Sequence, residues 1–172
     1  MGTALNAFEI LAMAVTIERD SVDFYRKAAR LFDSEELHET FLSLASWERK
    51  HEELFVAMKK ELTCSLEQRG TLDVSNYVSS NPQALASLAA SAARSASQPE
   101  PTGKESKQGI LELALNRELV IIRFYRDLVG AVRDSAGKRT IDDVIKEEKR
   151  HVAILKRSLE LLGDRDSSVS VS

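Results

Sequence analysis

Apolar residues recur at alternating three- and four-residue intervals along four long segments, the periodicity of amphipathic helices. The first stripe runs Leu5, Phe8, Leu11, Val15, Glu18, Val22, Tyr25, Ala29, Phe32 and predicts a helix over 3–32. Asp33 and Glu36 read as a capping box that opens a second helix. Its stripe is Leu37, Phe41, Leu44, Glu48, His51, Phe55, Met58, Leu62. A third helix over 107–132 turns Leu111, Leu115, Glu118, Ile122, Tyr125, Val129 and Val132 inward. The fourth is expected to open at a capping box of Thr140 and Asp143. It carries Ile141, Val144, Glu148, His151, Leu155 and Leu162, and Gly163 reads as its C-terminal stop.

Between the second and third helices the period is lost. Residues 64–107 form a crossover in which Pro82 opens a short, Ala/Ser-rich helix and Gln98 to Gly103 reads as a linker. A crossover of that length lets the second and third helices run parallel. The expected fold is all-α: a four-helix bundle of two antiparallel hairpins over 1–163, followed by a flexible tail over 164–172.

Six of the inward positions are not apolar, and they repeat. Glu48-x-x-His51 recurs as Glu148-x-x-His151, 100 residues later. Thirty residues before each of these glutamates stands another, Glu18 and Glu118, and each of those is followed after seven by Tyr25 or Tyr125. The midpoints of Glu18/Glu48 and Glu118/Glu148 fall at 33 and 133, the two expected turns, so each pair should face across its hairpin. A carboxylate on a core face is costly unless a cation or partner meets it. One Glu from each of two helices, with Glu-x-x-His from each of two others, is the recipe for a dinuclear metal site inside a bundle. Tyr25 and Tyr125, two turns from the glutamate of their own helix, are each within reach of a ligand of the other hairpin, and core packing is the competing reading. Glu35-x-x-His38 matches the short motif too, but His38 lies about 80° off the core stripe by helical geometry and reads as a surface residue. Trp47 has no counterpart in the second half, where Glu147 stands, and reads as packing.

Composition narrows the function. Net charge is −3, which gives no reason to expect nucleic acid or an anionic membrane as partner. The single cysteine, Cys64, excludes an internal disulfide or Cys-x-x-Cys metal knot and reads as an unpaired thiol at a helix end. Residues 3–15 lack a basic leader, and no apolar run reaches spanning length, so the expected location is cytoplasmic. Four carboxylates balance two ferrous ions, and an oxygen-rich, thiolate-free ligand set suits iron, with manganese possible and zinc as a substitute.

These residues also carry a resemblance: the chain resembles the ferritin-like superfamily, and within it the rubrerythrin-like di-iron proteins. The resemblance implies Glu18 and Glu118 as terminal ligands, Glu48 and Glu148 as bridging ligands, and His51 and His151 as one nitrogen ligand to each of two irons. It further implies a redox enzyme that oxidises Fe(II) with peroxide or O2, an external electron donor, and a homodimer. A ferritin-like iron-binding or storage protein is the alternative. The chain departs from the rubrerythrin pattern twice. Its single cysteine excludes the rubredoxin-like iron module, which needs four, and Ile121 stands where an additional glutamate ligand would follow Glu118 by three residues. The short fifth helix of storage ferritins is not expected after Gly163.

Overall fold

The structure, a computed structural model, describes residues 6–69 and 81–169. Five helices account for nearly all of it: α1 Ala7–Ala29, α2 Glu35–Arg69, α3 Pro82–Ala96, α4 Lys107–Ala131 and α5 Ser135–Val169. Among the described residues there is no strand, and no helix is long and apolar enough to cross a membrane.

The expected bundle forms, with several boundaries moved by capping chemistry. Asn6 caps α1: its side chain accepts from the backbone N–H of Phe8 and Glu9, and Glu9 returns a bond to the Asn6 N–H. This reciprocal pair fixes the start of α1 at Ala7 rather than at Thr3, which lies outside the described residues. The second helix begins at Glu35, one residue later than Asp33 would place it, with the N–H of His38 bonded to the carbonyl of Ser34. Thr140 caps nothing, because its hydroxyl bonds back to the carbonyl of Ala136 within α5. The cap is Asp134, whose carboxylate accepts from the N–H of Gly137 at 2.6 Å and whose carbonyl accepts from Lys138 at 3.0 Å. A helical pattern reads the same from any of its turns, so an apolar period cannot say which Asp or Thr is the first. Nor does Gly163 stop α5, which continues to Val169 through the expected tail. Likewise α2 runs beyond Leu62, so the exposed Cys64 stands within a helix and not at its end.

Direction follows from the cross-links. Tyr25 pairs with Glu118 and Tyr125 with Glu18, so α1 and α4 run antiparallel. His51 meets Glu148 and His151 meets Glu48, which makes α2 and α5 antiparallel as well. With α1–α2 and α4–α5 each folded as a hairpin, α2 and α4 are parallel, as the crossover allows.

The crossover is better anchored than its composition suggests. On α3, Leu88, Ser91 and Ser95 are buried at helical spacing, and Leu88 enters the core beside Ile10, Phe124 and Leu128. The Ser91 hydroxyl donates to Asp127 of α4 and itself accepts from Arg94 at 2.7 Å. The third side of α1 and α4 is therefore covered. That helps explain why Ile10, Ala14, Ile17, Ile121, Phe124 and Leu128, outside the predicted stripes, are also buried.

Candidate metal centre

The six repeated residues converge on one layer of the bundle. Glu18, Glu48, Glu118 and Glu148 are each 0% exposed, with His51 at 3% and His151 at 2%. Apolar clusters close the layer on two sides. One contains Phe55, Phe124 and Tyr125, and the other Phe24, Tyr25, Phe41 and Leu155.

Both histidines point Nδ1 into the layer. His51 Nδ1 lies 3.2 Å from Glu48 Oε2, 3.0 Å from Glu148 Oε1 and 3.9 Å from Glu18 Oε2. His151 Nδ1 lies 3.0 Å from Glu148 Oε2, 3.0 Å from Glu48 Oε1 and 3.6 Å from Glu118 Oε1. Two four-residue groups result, Glu18/Glu48/His51/Glu148 and Glu48/Glu118/Glu148/His151, each with ligand atoms within 4.8 Å of one another and so able to hold a metal ion. Glu48 and Glu148 belong to both. Position in the bundle therefore separates the carboxylates into two shared and two unshared, by geometry alone.

A cation fits this donor set. Glu18 Oε2, Glu48 Oε1, Glu118 Oε2 and Glu148 Oε1 are buried and accept no hydrogen bond. Those of Glu48 and Glu148 come within ion-pair distance of an imidazole but outside hydrogen-bond geometry. An orphaned buried acceptor costs about 1–3 kcal/mol, more when charged, and four of them face one another.

Without a metal the layer neutralises itself with protons. Glu18 and Glu118 are held well above the ordinary carboxylate range, first because burial strips solvent from the charged form and then because Glu48 and Glu148 press negative charge on them. Burial alone would lower His51, but the carboxylates of Glu148 and Glu48 against its Nδ1 push it up to about 12. His151 is opposed by burial and raised in the same way, through Glu118, Glu148 and Glu48. Burial would raise Glu48, but the imidazoles of His151 and His51 beside its two oxygens hold it below the ordinary range. Two imidazolium ions thus occupy the electrostatic role of cations.

Tyr25 and Tyr125 link the hairpins. The Tyr25 hydroxyl donates to Glu118 Oε1 and the Tyr125 hydroxyl to Glu18 Oε1. Burial, and then the carboxylate each one meets, raises both phenols well above their usual range, so they remain protonated donors. Each tyrosine also packs on aromatic rings, Tyr25 edge-on to Phe24 and Phe41 and Tyr125 stacked on Phe55. Packing and hydrogen bonding are both present.

Three residues were missed or misjudged from the sequence. His38 belongs to neither four-residue group, but it is half-buried rather than a free surface residue. Its Nδ1 lies 2.9 Å from the carbonyl of Ala29, the last residue of α1. Arg117, beside Glu118, is buried with its guanidinium 4.4 Å from the centre of the Phe24 ring and 2.7 Å from Glu100 of the crossover. Glu147 reaches across from α5 to bond His51 Nε2 at 2.9 Å. Trp47, read as packing, does pack, and its partner is His151, with ring centroids 5.2 Å apart and planes 12° from parallel. The difference between Trp47 and Glu147, immediately before the repeated Glu-x-x-His, was the available signal.

The Rubrerythrin family model matches residues 9–159, and the chain belongs to that family. No curated protein matches it. Among solved structures, a Thermotoga maritima protein assigned as ferritin-like diiron-carboxylate is 21% identical, with a TM-score of 0.62 over 93% of this chain and 98% of that one. A hypothetical protein from Pyrococcus furiosus is 24% identical, also with a TM-score of 0.62, over 91% of this chain and 90% of the other. At these identities the likeness establishes the fold. The chain is a ferritin-like helical protein of the rubrerythrin family with a buried carboxylate–histidine cluster able to bind metal.

Proposed function

We propose that the chain binds two iron ions in this layer and oxidises Fe(II) with peroxide or O2, an external donor returning the electrons. The observation that carries the reading is the pair of interlocking four-residue groups sharing Glu48 and Glu148. Glu48 and Glu148 would span both ions, Glu18 with His51 would complete one position, and Glu118 with His151 the other. When bound, the iron pair supplies the two electrons that, with two protons, reduce hydrogen peroxide to two waters. The chain's own part is positional. The tyrosines hold one oxygen of Glu18 and of Glu118 by donating to it, and the rings of Phe24, Phe55 and Phe124 exclude bulk water. Manganese could occupy the same oxygen-rich set. A homodimer completes the proposal and rests on the resemblance to rubrerythrin-like proteins.

The test is to load the protein anaerobically with Fe(II) and add peroxide in repeated cycles with a chemical reductant. Two irons per chain with several peroxides consumed per site supports the enzyme. Tens of irons retained per chain would replace it with storage, and no retained iron would end the metal reading.

A further inference from the structure

We infer that the two metal positions are inequivalent and fill in order, the His51 position first, because Glu147 orients one histidine while Trp47 merely covers the other. This builds on the metal-binding reading above and concerns residues outside the six ligands. The 100-residue repeat relates Glu18 to Glu118, Tyr25 to Tyr125, Glu48 to Glu148 and His51 to His151. The residue before the shared glutamate is not part of that repeat, being Trp47 in one half and Glu147 in the other, yet each touches a histidine of the other hairpin. On one side, Glu147 Oε2 lies 2.9 Å from His51 Nε2. The Glu147 side chain is 49% exposed against 4% for His51, so the carboxylate reaches inward from solvent to a buried ring. On the other side, Trp47 lies flat against His151.

The chemistry of the two contacts differs. Once a metal displaces the Nδ1 proton, a carboxylate on Nε2 keeps the remaining proton on that nitrogen, locks the ring orientation and makes Nδ1 a stronger donor to metal. Such partners are worth roughly 10–100-fold in metal affinity. An indole stacked on the ring restrains its tilt but contributes no acceptor, since its only polar group is an N–H donor. Glu147 is thus a positioning residue for the His51 position, and nothing at residue 47 does the same for His151.

Titrating the metal-free full chain with Mn(II), read by electron paramagnetic resonance and equilibrium dialysis, tests this. With ordered filling, the uncoupled single-ion signal grows to one equivalent and then falls as the second ion couples to the first. The two dissociation constants should differ by about tenfold or more. Glu147→Ala should weaken the first step roughly 10–100-fold, so that the single-ion signal at one equivalent drops to about half, the value for statistical filling. Glu147→Gln, which keeps an acceptor oxygen, should recover part of the loss. Trp47→Glu, which supplies a carboxylate beside His151, should strengthen the second step and also bring filling towards statistical. Two ions bound with equal constants by the parent, or a first step indifferent to Glu147→Ala, would overturn the inference while leaving the metal site standing. Failure to bind Mn(II) at all would remove both.

Discussion

The Tyr25 hydroxyl, on α1, donates to Glu118 on α4, ninety-three residues away along the chain. Tyr125 makes the same bond in reverse to Glu18, so two phenols tie the first hairpin to the second at the level of the cluster. Replacing either phenol by Phe leaves a buried carboxylate oxygen without its donor, a loss of about 1–3 kcal/mol. Tyr25→Phe and Tyr125→Phe should each lower the metal-free melting temperature. Because the two tyrosines meet carboxylates of one cluster, the double variant should depart from additivity. Chemical denaturation of the four proteins checks both statements.

Proton uptake gives the metal-free protein an unusual pH dependence. In the folded state His51 and His151 are raised, and so are Glu18 and Glu118. Groups raised on folding contribute stability that is complete below their unfolded values, 4.5 for Glu and 6.5 for His, and that is lost as pH rises toward the folded ones, about 12 for His51. Glu48, lowered on folding, acts the other way and loses its contribution as pH falls below 4.5. Metal-free protein should therefore be most stable near about pH 5 and weaken toward about pH 9, by about 1.4 kcal/mol per pH unit for each proton held only in the folded state. Mn(II) displaces those protons, so its stabilising effect should grow over the same range. Calorimetry with and without metal decides it: a metal-free melting temperature that climbs from about pH 5 to about pH 8 would contradict the protonation scheme.

Site variants should sort by group membership. Glu48→Ala or Glu148→Ala removes a residue common to both four-ligand groups and should abolish tight binding of two ions. His51→Ala and His151→Ala each damage one group and should leave about one ion per chain. His38→Ala should bind metal like the parent, yet lose roughly 1 kcal/mol of stability with its bond to the end of α1. Metal analysis after dialysis separates the three classes, and equal metal losses from His38→Ala and His51→Ala would refute the assignment.

Two glycines should respond in opposite directions to alanine. Gly103, in the turn before α4, has φ of +83°, and a Cβ there would meet the Leu31 side chain at 3.3 Å. Its N–H also donates to Glu105 at 3.0 Å. Gly103→Ala should cost about 1–2 kcal/mol from the left-handed conformation alone. Gly130 lies within α4 with open space where a Cβ would go, and Gly130→Ala should gain about 0.5–1 kcal/mol through helix propensity. Thermal melts of the two variants check the pair of signs.

Much of the cluster was legible because its cause is periodic. Glu18, Glu48, His51 and their repeats stand out as polar residues at core positions of a helical stripe, and the two turn midpoints bring them to one height. The tyrosine links also lay within reach of that arithmetic. Legibility failed where one helix touches more than two neighbours. Ile121 and Leu128 are buried by contacts that no single stripe encodes, partly from α3, which packs through Leu85, Leu88 and Ala92, and Phe24 is covered by Arg117. Helix starts failed for a different reason. Asp134 and Thr140 are equally plausible caps by composition, and the choice between them depends on where the chain leaves first-turn N–H groups free to donate to a side-chain oxygen.

The burial of four carboxylates at 0% exposure also bears on the protein's lifetime. A chain that cannot be both dry and fully charged at its centre without a bound cation is more open to unfolding whenever the cation is scarce. Proteases that act on transiently opened chains remove such molecules first. Cellular abundance should then follow metal supply, with newly made copies surviving in proportion to the ions available to fill them, so that the polypeptide registers scarcity without a separate sensor.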